Sequence, residues 1–291
     1  MTGITILDGG MGQELVARSG HQPGPLWATE LMMKFPGLVG EVHSAYFAAG
    51  ADIATANTYA IHRDRLIQHD IEDQFRSLHQ TALEEARAAR DANGGGMVAG
   101  ALGPLGWSYM PETAPPPEEA AEIYREVARF HDGLIDLIIL ETVSGLSPAR
   151  GALMGVQDVD VPVWLALSVD DDDGTKLRSG ESVAEALPLI EEFGVAAVLI
   201  NCSRPEAVSS AMPILAKAGI PFGGYANGFT GITGAYKSKT ASTDLLTART
   251  DLGPKEYADF AEAWVEAGAT ILGGCCETGP AHIAELKRRF G

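Results

Sequence analysis

Eight short apolar runs alternate with stretches of helical period along these 291 residues, and that alternation limits the folds open to the chain. The runs are Ile4–Leu7, Asp52–Thr55, Met97–Gly100, Leu137–Leu140, Val163–Leu167, Ala197–Ile200, Phe222–Tyr225 and Thr270–Leu272. They are aliphatic or β-branched and nearly unbroken, the pattern of parallel strands buried on both faces. Between them, Ile67, Ile71, Phe75, Leu78 and Ala82 form one helical stripe, and Tyr257, Phe260, Ala261, Trp264 and Val265 another. Ile283, Leu286 and Phe290 mark a last helix, with Pro280 at its first position. Eight strands, each followed by a helix, predict a single-domain (β/α)8 TIM barrel over 1–291. An open doubly wound sheet is the competing architecture, and the absence of a Gly-x-Gly-x-x-Gly turn after the first strand counts against it.

Charge and composition narrow the function classes. The 39 acidic residues exceed the 21 basic ones, a net charge of −18 that repels nucleic acid and anionic membrane surfaces and suits a cationic small substrate. The first residues lack the basic start and long apolar stretch of a signal peptide, and no apolar run approaches the ~18 residues of a membrane span. Three cysteines do not make a disulfide framework. The expectation is a soluble cytoplasmic protein, with no nucleic-acid or membrane partner and homo-oligomerisation left open.

In a (β/α)8 barrel the chemistry lies at the C-terminal ends of the strands, and polar residues cluster there. Asp8 follows the first strand, Asn57 and Tyr59 the second, and Glu141 the fourth. Asn201 and Cys202 follow the sixth, Asn227 the seventh, and Cys275 and Cys276 the eighth. Three thiolates at neighbouring strand ends point to a zinc site with its fourth position open. Zinc held by three thiolates is electron-rich and activates water poorly, but a substrate thiol of pKa near ~8.5 binding there would lose its proton and stay nucleophilic. The reaction expected is alkyl transfer to that thiol from a cationic donor. Buried small hydrophobes are the competing reading of the cysteines, stronger for Cys202 alone than for a Cys-Cys pair after Gly273-Gly274. A structural zinc would want a fourth protein ligand, and His282 reads instead as a capping or packing histidine. The segment 227–253 has no periodicity and is read as a lid over the mouth. Asp170–Gly174 does not match a calcium loop and is read as a solvated acidic turn.

The motifs resemble those of the homocysteine S-methyltransferase family. Leu7-Asp8-Gly9-Gly10-Met11-Gly12 with Leu15 matches its first motif, and Ala56-Asn57-Thr58-Tyr59 its second-strand motif. Gly100, Gly103, Pro104 and Gly106 match the turn after strand three, with Leu105 where the family has a tyrosine. Glu141-Thr142, Asn201-Cys202 and Gly273-Gly274-Cys275-Cys276 with Thr278, Pro280, His282 and Ile283 complete a match that runs nearly end to end. Glu277 and Gly279 depart from the arginine and threonine often found there, which bears on the substrate tail or the donor at that rim.

The resemblance implies a zinc-dependent enzyme that methylates L-homocysteine to methionine, with Cys202, Cys275 and Cys276 holding Zn²⁺. It implies that Asp8 and Glu141 receive the amino group of homocysteine; the competing roles are a turn-former for Asp8 and an internal salt bridge for Glu141. Asn227 either caps the open zinc position or bonds backbone in its loop. Trp27 and Tyr59 match positions facing the methyl donor, where aromatic faces attract onium cations, or else they only pack the mouth. The barrel uses the whole chain, leaving no room for a cobalamin or folate module, so the donor is expected to be a free small onium compound. S-methylmethionine and S-adenosylmethionine come first, then betaine and dimethylsulfoniopropionate; the chain lacks the long C-terminal extension of the betaine enzymes. Alternatives are a methyltransferase for another small thiol or selenol, and a non-catalytic zinc-thiol sensor barrel.

Overall fold

The computed structural model describes residues 3–22, 24–232 and 246–291. Eight parallel strands, β1 (Thr5–Ile6), β2 (Ile53–Thr55), β3 (Met97–Leu102), β4 (Leu137–Val143), β5 (Val163–Leu167), β6 (Ala197–Asn201), β7 (Phe222–Tyr225) and β8 (Ile271–Leu272), pair in the order β1-β8-β7-β6-β5-β4-β3-β2. A parallel bridge between Leu7 and Ile53 joins the two ends, and Asp52 N donates to Ile6 O at 2.7 Å. That closure makes the sheet a (β/α)8 barrel and excludes the open doubly wound sheet.

Around it run α1 (Met11–Ser19), α2 (Trp27–Lys34), α3 (Leu38–Ala48), α4 (Arg63–Ile67), α5 (Phe75–Asn93), α6 (Pro117–His131), α7 (Leu146–Gly155), α8 (Leu187–Glu192), α9 (Pro205–Leu215), α10 (Pro254–Glu266) and α11 (Pro280–Phe290). Proline opens α6, α9, α10 and α11, where its missing N–H removes a donor that has no intrahelical partner. No described helix is long and apolar enough to cross a membrane.

The strands divide the apolar residues by parity. Ile138, Leu140, Val198 and Ile200 face the helices in the large outer core. Leu137, Ile139, Ala197 and Leu199 fill the barrel interior with Leu7, Ile53 and Ile271. The hydrophobic pattern therefore builds two concentric layers.

Several boundaries differ from the sequence expectation. The stripe from Ile67 to Ala82 is not one helix. Ile67 ends α4 and is 54% exposed, Asp70 turns left-handed at φ 55°, and α5 starts at Phe75. Strand β4 runs on to Val143, so Glu141 lies within the strand, and Asn201 is the last residue of β6. The acidic turn is not wholly solvated: Asp171 folds inward, pairing with Arg178 at 3.2 Å and accepting from Arg204 N. Of the segment read as a lid, 233–245 lies outside the described residues. Its flanks are laced together by Thr230 N to Thr247 O at 2.9 Å and Arg249 N to Gly228 O at 2.7 Å. His282 caps α11, accepting from Gly279 N through Nδ1 at 3.2 Å.

Candidate active site

A cavity of about 200 Å³ opens at the C-terminal end of the barrel. Asp8, Trp27, Tyr59, Glu141, Cys202, Cys275 and Cys276 all line it. Asn227 is not one of the lining residues. It is 1% exposed, its Oδ1 accepts from Phe229 N at 3.1 Å, and its Nδ2 has no partner among the described residues. The Oδ1 contact is the loop backbone bond weighed for it.

Strand parity explains why Glu141 reaches the mouth. It continues the inward series Leu137, Ile139 on β4, and the pairing with β5 shifts register between Leu140 and Val143. Thr142 sits at that irregularity with φ 57°, a left-handed conformation that costs a β-branched residue about 1–3 kcal/mol. Tyr225 Oη donates to Glu141 Oε1 at 2.8 Å, and among the described residues Glu141 makes no ion pair. Asp8 is 3% exposed and is held by Thr55, whose N and Oγ1 donate to its two oxygens at 2.7 and 2.6 Å. Burial raises both carboxyls to about 7, with Thr55 pulling Asp8 back and nearby Glu141 pushing it further up. Among the described residues no charged cation pairs with either carboxylate, and a buried carboxylate needs one.

The three thiols gather beside them. Cys202 Sγ lies 2.7 Å from Cys275 Sγ, and the Cys276 thiol adjoins Cys275. Cys202 is turned to the mouth by a left-handed backbone, φ 47°. Thr142 Oγ1 donates to its sulfur at 3.3 Å and Asn201 Nδ2 at 3.6 Å, while Asn201 Oδ1 accepts from Thr142 N at 3.1 Å. The Cys202 thiol is pushed well above its ordinary range by its Cys275 neighbour and by burial. Cys275 is also raised: the hydrogen bond to Cys202 lowers it, but contact with Cys276 and burial prevail.

As they stand, no three His, Cys, Asp or Glu side chains among the described residues are spaced to hold an ion. The 2.7 Å separation of Cys202 and Cys275 sulfurs lies between two limits. A disulfide spans ~2.05 Å, and two sulfurs each ~2.3 Å from one tetrahedral zinc stand ~3.8 Å apart. The donor set nevertheless has the chemistry of a soft-metal site. Three thiols meet at the cavity wall, Cys202 buried and Cys275 and Cys276 half-buried, and the hydrogen bonds reaching Cys202 and Cys275 come from neutral groups.

The rest of the lining is rich in aromatic rings. Tyr59 Oη bonds Ser108 Oγ at 2.7 Å, and burial holds its phenol protonated. Trp27 opens α2 with φ 49°, its indole lying against Gly12 of α1 so closely that any Cβ there would overlap it. Trp107, Tyr109 and Arg65 complete this side. Sequence reasoning passed over Thr55, Thr142, Tyr225 and Arg65. Strand parity would have found Thr55; nothing in the run His62-Arg63-Asp64-Arg65 separates Arg65 from a solvated charge cluster. It also missed His43, wholly buried on α3 with Nδ1 3.9 Å from Asp8 Oδ2, which burial keeps neutral by lowering its pKa to about 4.

Fold and site together define a class: a (β/α)8 barrel with a thiol cluster and a carboxylate pair at its catalytic face. The family model for homocysteine S-methyltransferase matches residues 5–290. The chain belongs to that family and is a methyltransferase enzyme. It is 28% identical over 324 residues to homocysteine S-methyltransferase 1 of Arabidopsis thaliana, covering 99% of this chain and 94% of that protein. Selenocysteine methyltransferase of Astragalus bisulcatus is 26% identical over 316 residues, covering 96% of this chain and 90% of that protein. The homocysteine methyltransferase MmuM from Escherichia coli, solved in a metallated form, superposes with a TM-score of 0.83 at 27% identity, covering 98% of this chain and 96% of that one.

Proposed function

We propose that this protein transfers a methyl group from a small onium donor to the sulfur of L-homocysteine, giving methionine, with Zn²⁺ held by Cys202, Cys275 and Cys276. The observation that carries the reading is the convergence of three thiols and two uncompensated carboxyls on one cavity. Asp8 and Glu141 take the substrate ammonium, whose charge stabilises their ionised forms. Thr55 and Tyr225 fix the direction of those carboxylates through the hydrogen bonds described above. Thr142 and Asn201 orient the Cys202 sulfur. A zinc ion in the thiol cluster would supply the positive charge that lets a substrate thiol give up its proton near neutral pH. The homocysteine sulfur then forms the new S–CH3 bond. The donor's bond to that methyl breaks with its electron pair left on the donor heteroatom, which departs neutral, and the thiol proton goes to solvent. Trp27 and Tyr59 offer their ring faces to the donor cation.

The test is methionine formation from homocysteine with S-methylmethionine, S-adenosylmethionine, betaine or dimethylsulfoniopropionate, alongside metal analysis. At least one donor should give turnover, and the protein should carry about one zinc per chain. Cys202→Ala, Cys275→Ala and Cys276→Ala should each lose zinc and activity but keep the barrel's circular dichroism. Unchanged zinc in all three variants removes the metal assignment, and failure of every donor removes the reaction. Similarity to the selenocysteine methyltransferase supports a second acceptor class, small selenols, which the same assay reads when selenocysteine replaces homocysteine.

A further inference from the structure

We propose that Arg65 is the specificity residue for the methyl donor, binding the carboxylate at the donor's far end. The inference rests on the methyl-transfer reading above and assigns a partner in that same cavity to the donor's anionic group. Arg65 belongs to α4, just after β2, and among the described residues is the one basic side chain lining the cavity. Among those residues its side chain makes one hydrogen bond, from Nη2 to Pro104 O at 2.9 Å, and its buried Nε finds no partner. Among the described residues it makes no ion pair, although acidic residues outnumber basic ones in this chain by 39 to 21. Two positions away, Arg63 pairs with both Glu72 and Glu126. An arginine that stays charged and unmatched in a cavity wall needs an anion, and its planar fork suits a carboxylate.

The position of Arg65 says which anion. Its guanidinium carbon stands 5.7 Å from the Tyr59 ring centre and 6.0 Å from that of Trp107. Tyr59, Arg65 and the three cysteines line the same cavity, so a ligand resting on the Tyr59 ring has the cation and the thiols within one enclosure. A purely cationic donor against that ring would be repelled by Arg65. A zwitterion avoids this: its onium centre lies on the Tyr59 face with the methyl toward the thiols, and its carboxylate reaches Arg65. The acceptor's ammonium goes to Asp8 and Glu141, so each substrate meets charge of the opposite sign.

The experiment compares wild type with Arg65→Met using homocysteine, S-methylmethionine and the methyl ester of S-methylmethionine. Arg65→Met should raise the KM for S-methylmethionine about 10–100-fold, the loss of one charge-assisted contact, with kcat and the homocysteine KM within about two-fold. Wild type should prefer the free acid over its ester by a similar factor, and the variant should show no preference. Calorimetric titration with S-methylmethionine should show the same loss of affinity without turnover, which separates failure of this assignment from failure of the reaction itself. Should Arg65→Met not fold, Arg65→Gln, which keeps a donor for Pro104 O, carries the comparison. An unchanged donor KM, a preference for the acid that persists in the variant, or a rise confined to homocysteine overturns the proposal. The last outcome would assign Arg65 to the acceptor's own carboxylate.

Discussion

Glu141 and Asp8 show how much of a residue's role is set by its neighbours. Both were visible in the sequence as carboxylates at strand ends, but their partners were not. Thr55 and Tyr225 lie 47 and 84 residues away along the chain. Glu141→Ala should weaken homocysteine binding by ~2–4 kcal/mol, the range for a buried charge-assisted contact left unmade, without changing metal content. Calorimetry reads the affinity, and a variant that binds homocysteine normally takes Glu141 out of the substrate site. The pH dependence has a definite sign. The free carboxyls have been raised to about 7, and only their ionised forms attract an ammonium. Homocysteine affinity should therefore fall as pH drops below 7 and level off above it, and an affinity that is flat between pH 6 and 8 contradicts this.

At the scale of elements, α1 and α2 are held in contact by the absence of a side chain. Gly12 is the second residue of α1, in its first turn, where alanine would ordinarily favour the helix by at most about 1 kcal/mol. Here a Cβ would run into the Trp27 indole, and overpacking of that kind costs about 1–3 kcal/mol. The steric effect is the larger, so Gly12→Ala should lower the urea midpoint and, by moving Trp27, raise the donor KM. A variant as stable as wild type with unchanged donor kinetics would show that the two helices part freely. This contact was not legible beforehand. Gly12 belongs to a recognisable glycine-rich motif, but the motif does not say which ring lies against it. The helix stripe from Ile67 to Ala82 failed for a related reason: periodicity continues across a break, and the left-handed turn at Asp70 is a local backbone choice that spacing does not record.

For the whole molecule, the buried histidines govern behaviour in acid. His62 and His79 are lowered to about 3, His43 to about 4, and His131 well below its ordinary range, all by burial first. His131 Nε2 and His79 Nδ1 share a hydrogen bond of 3.0 Å, and His79 Nε2 bonds Ile61 O at 2.9 Å, so the pair is built for neutral rings. A depressed histidine stabilises the fold above its unfolded value of ~6.5 and loses that contribution as pH falls toward its folded value. Asp8 and Glu141 act oppositely, because the folded state holds their protons more tightly. Counting these four histidines against the two carboxyls, the net proton uptake on unfolding grows from about half a proton at pH 6.5 to about two at pH 5. Urea stability should fall over that interval, and stability that is constant or rises there sinks the account. The sequence alone determined the barrel, because strand and helix periods are local and repeat eight times, and it marked the thiols and carboxylates, because those residue types stand out at strand ends. The tertiary structure decided that Asn227 bonds the backbone of Phe229, that Arg65 enters the cavity, and that Thr142 and Cys202 take left-handed backbones at the strand ends. Those outcomes depend on which distant atoms meet at the mouth once the barrel closes, and no local pattern along the chain encodes that.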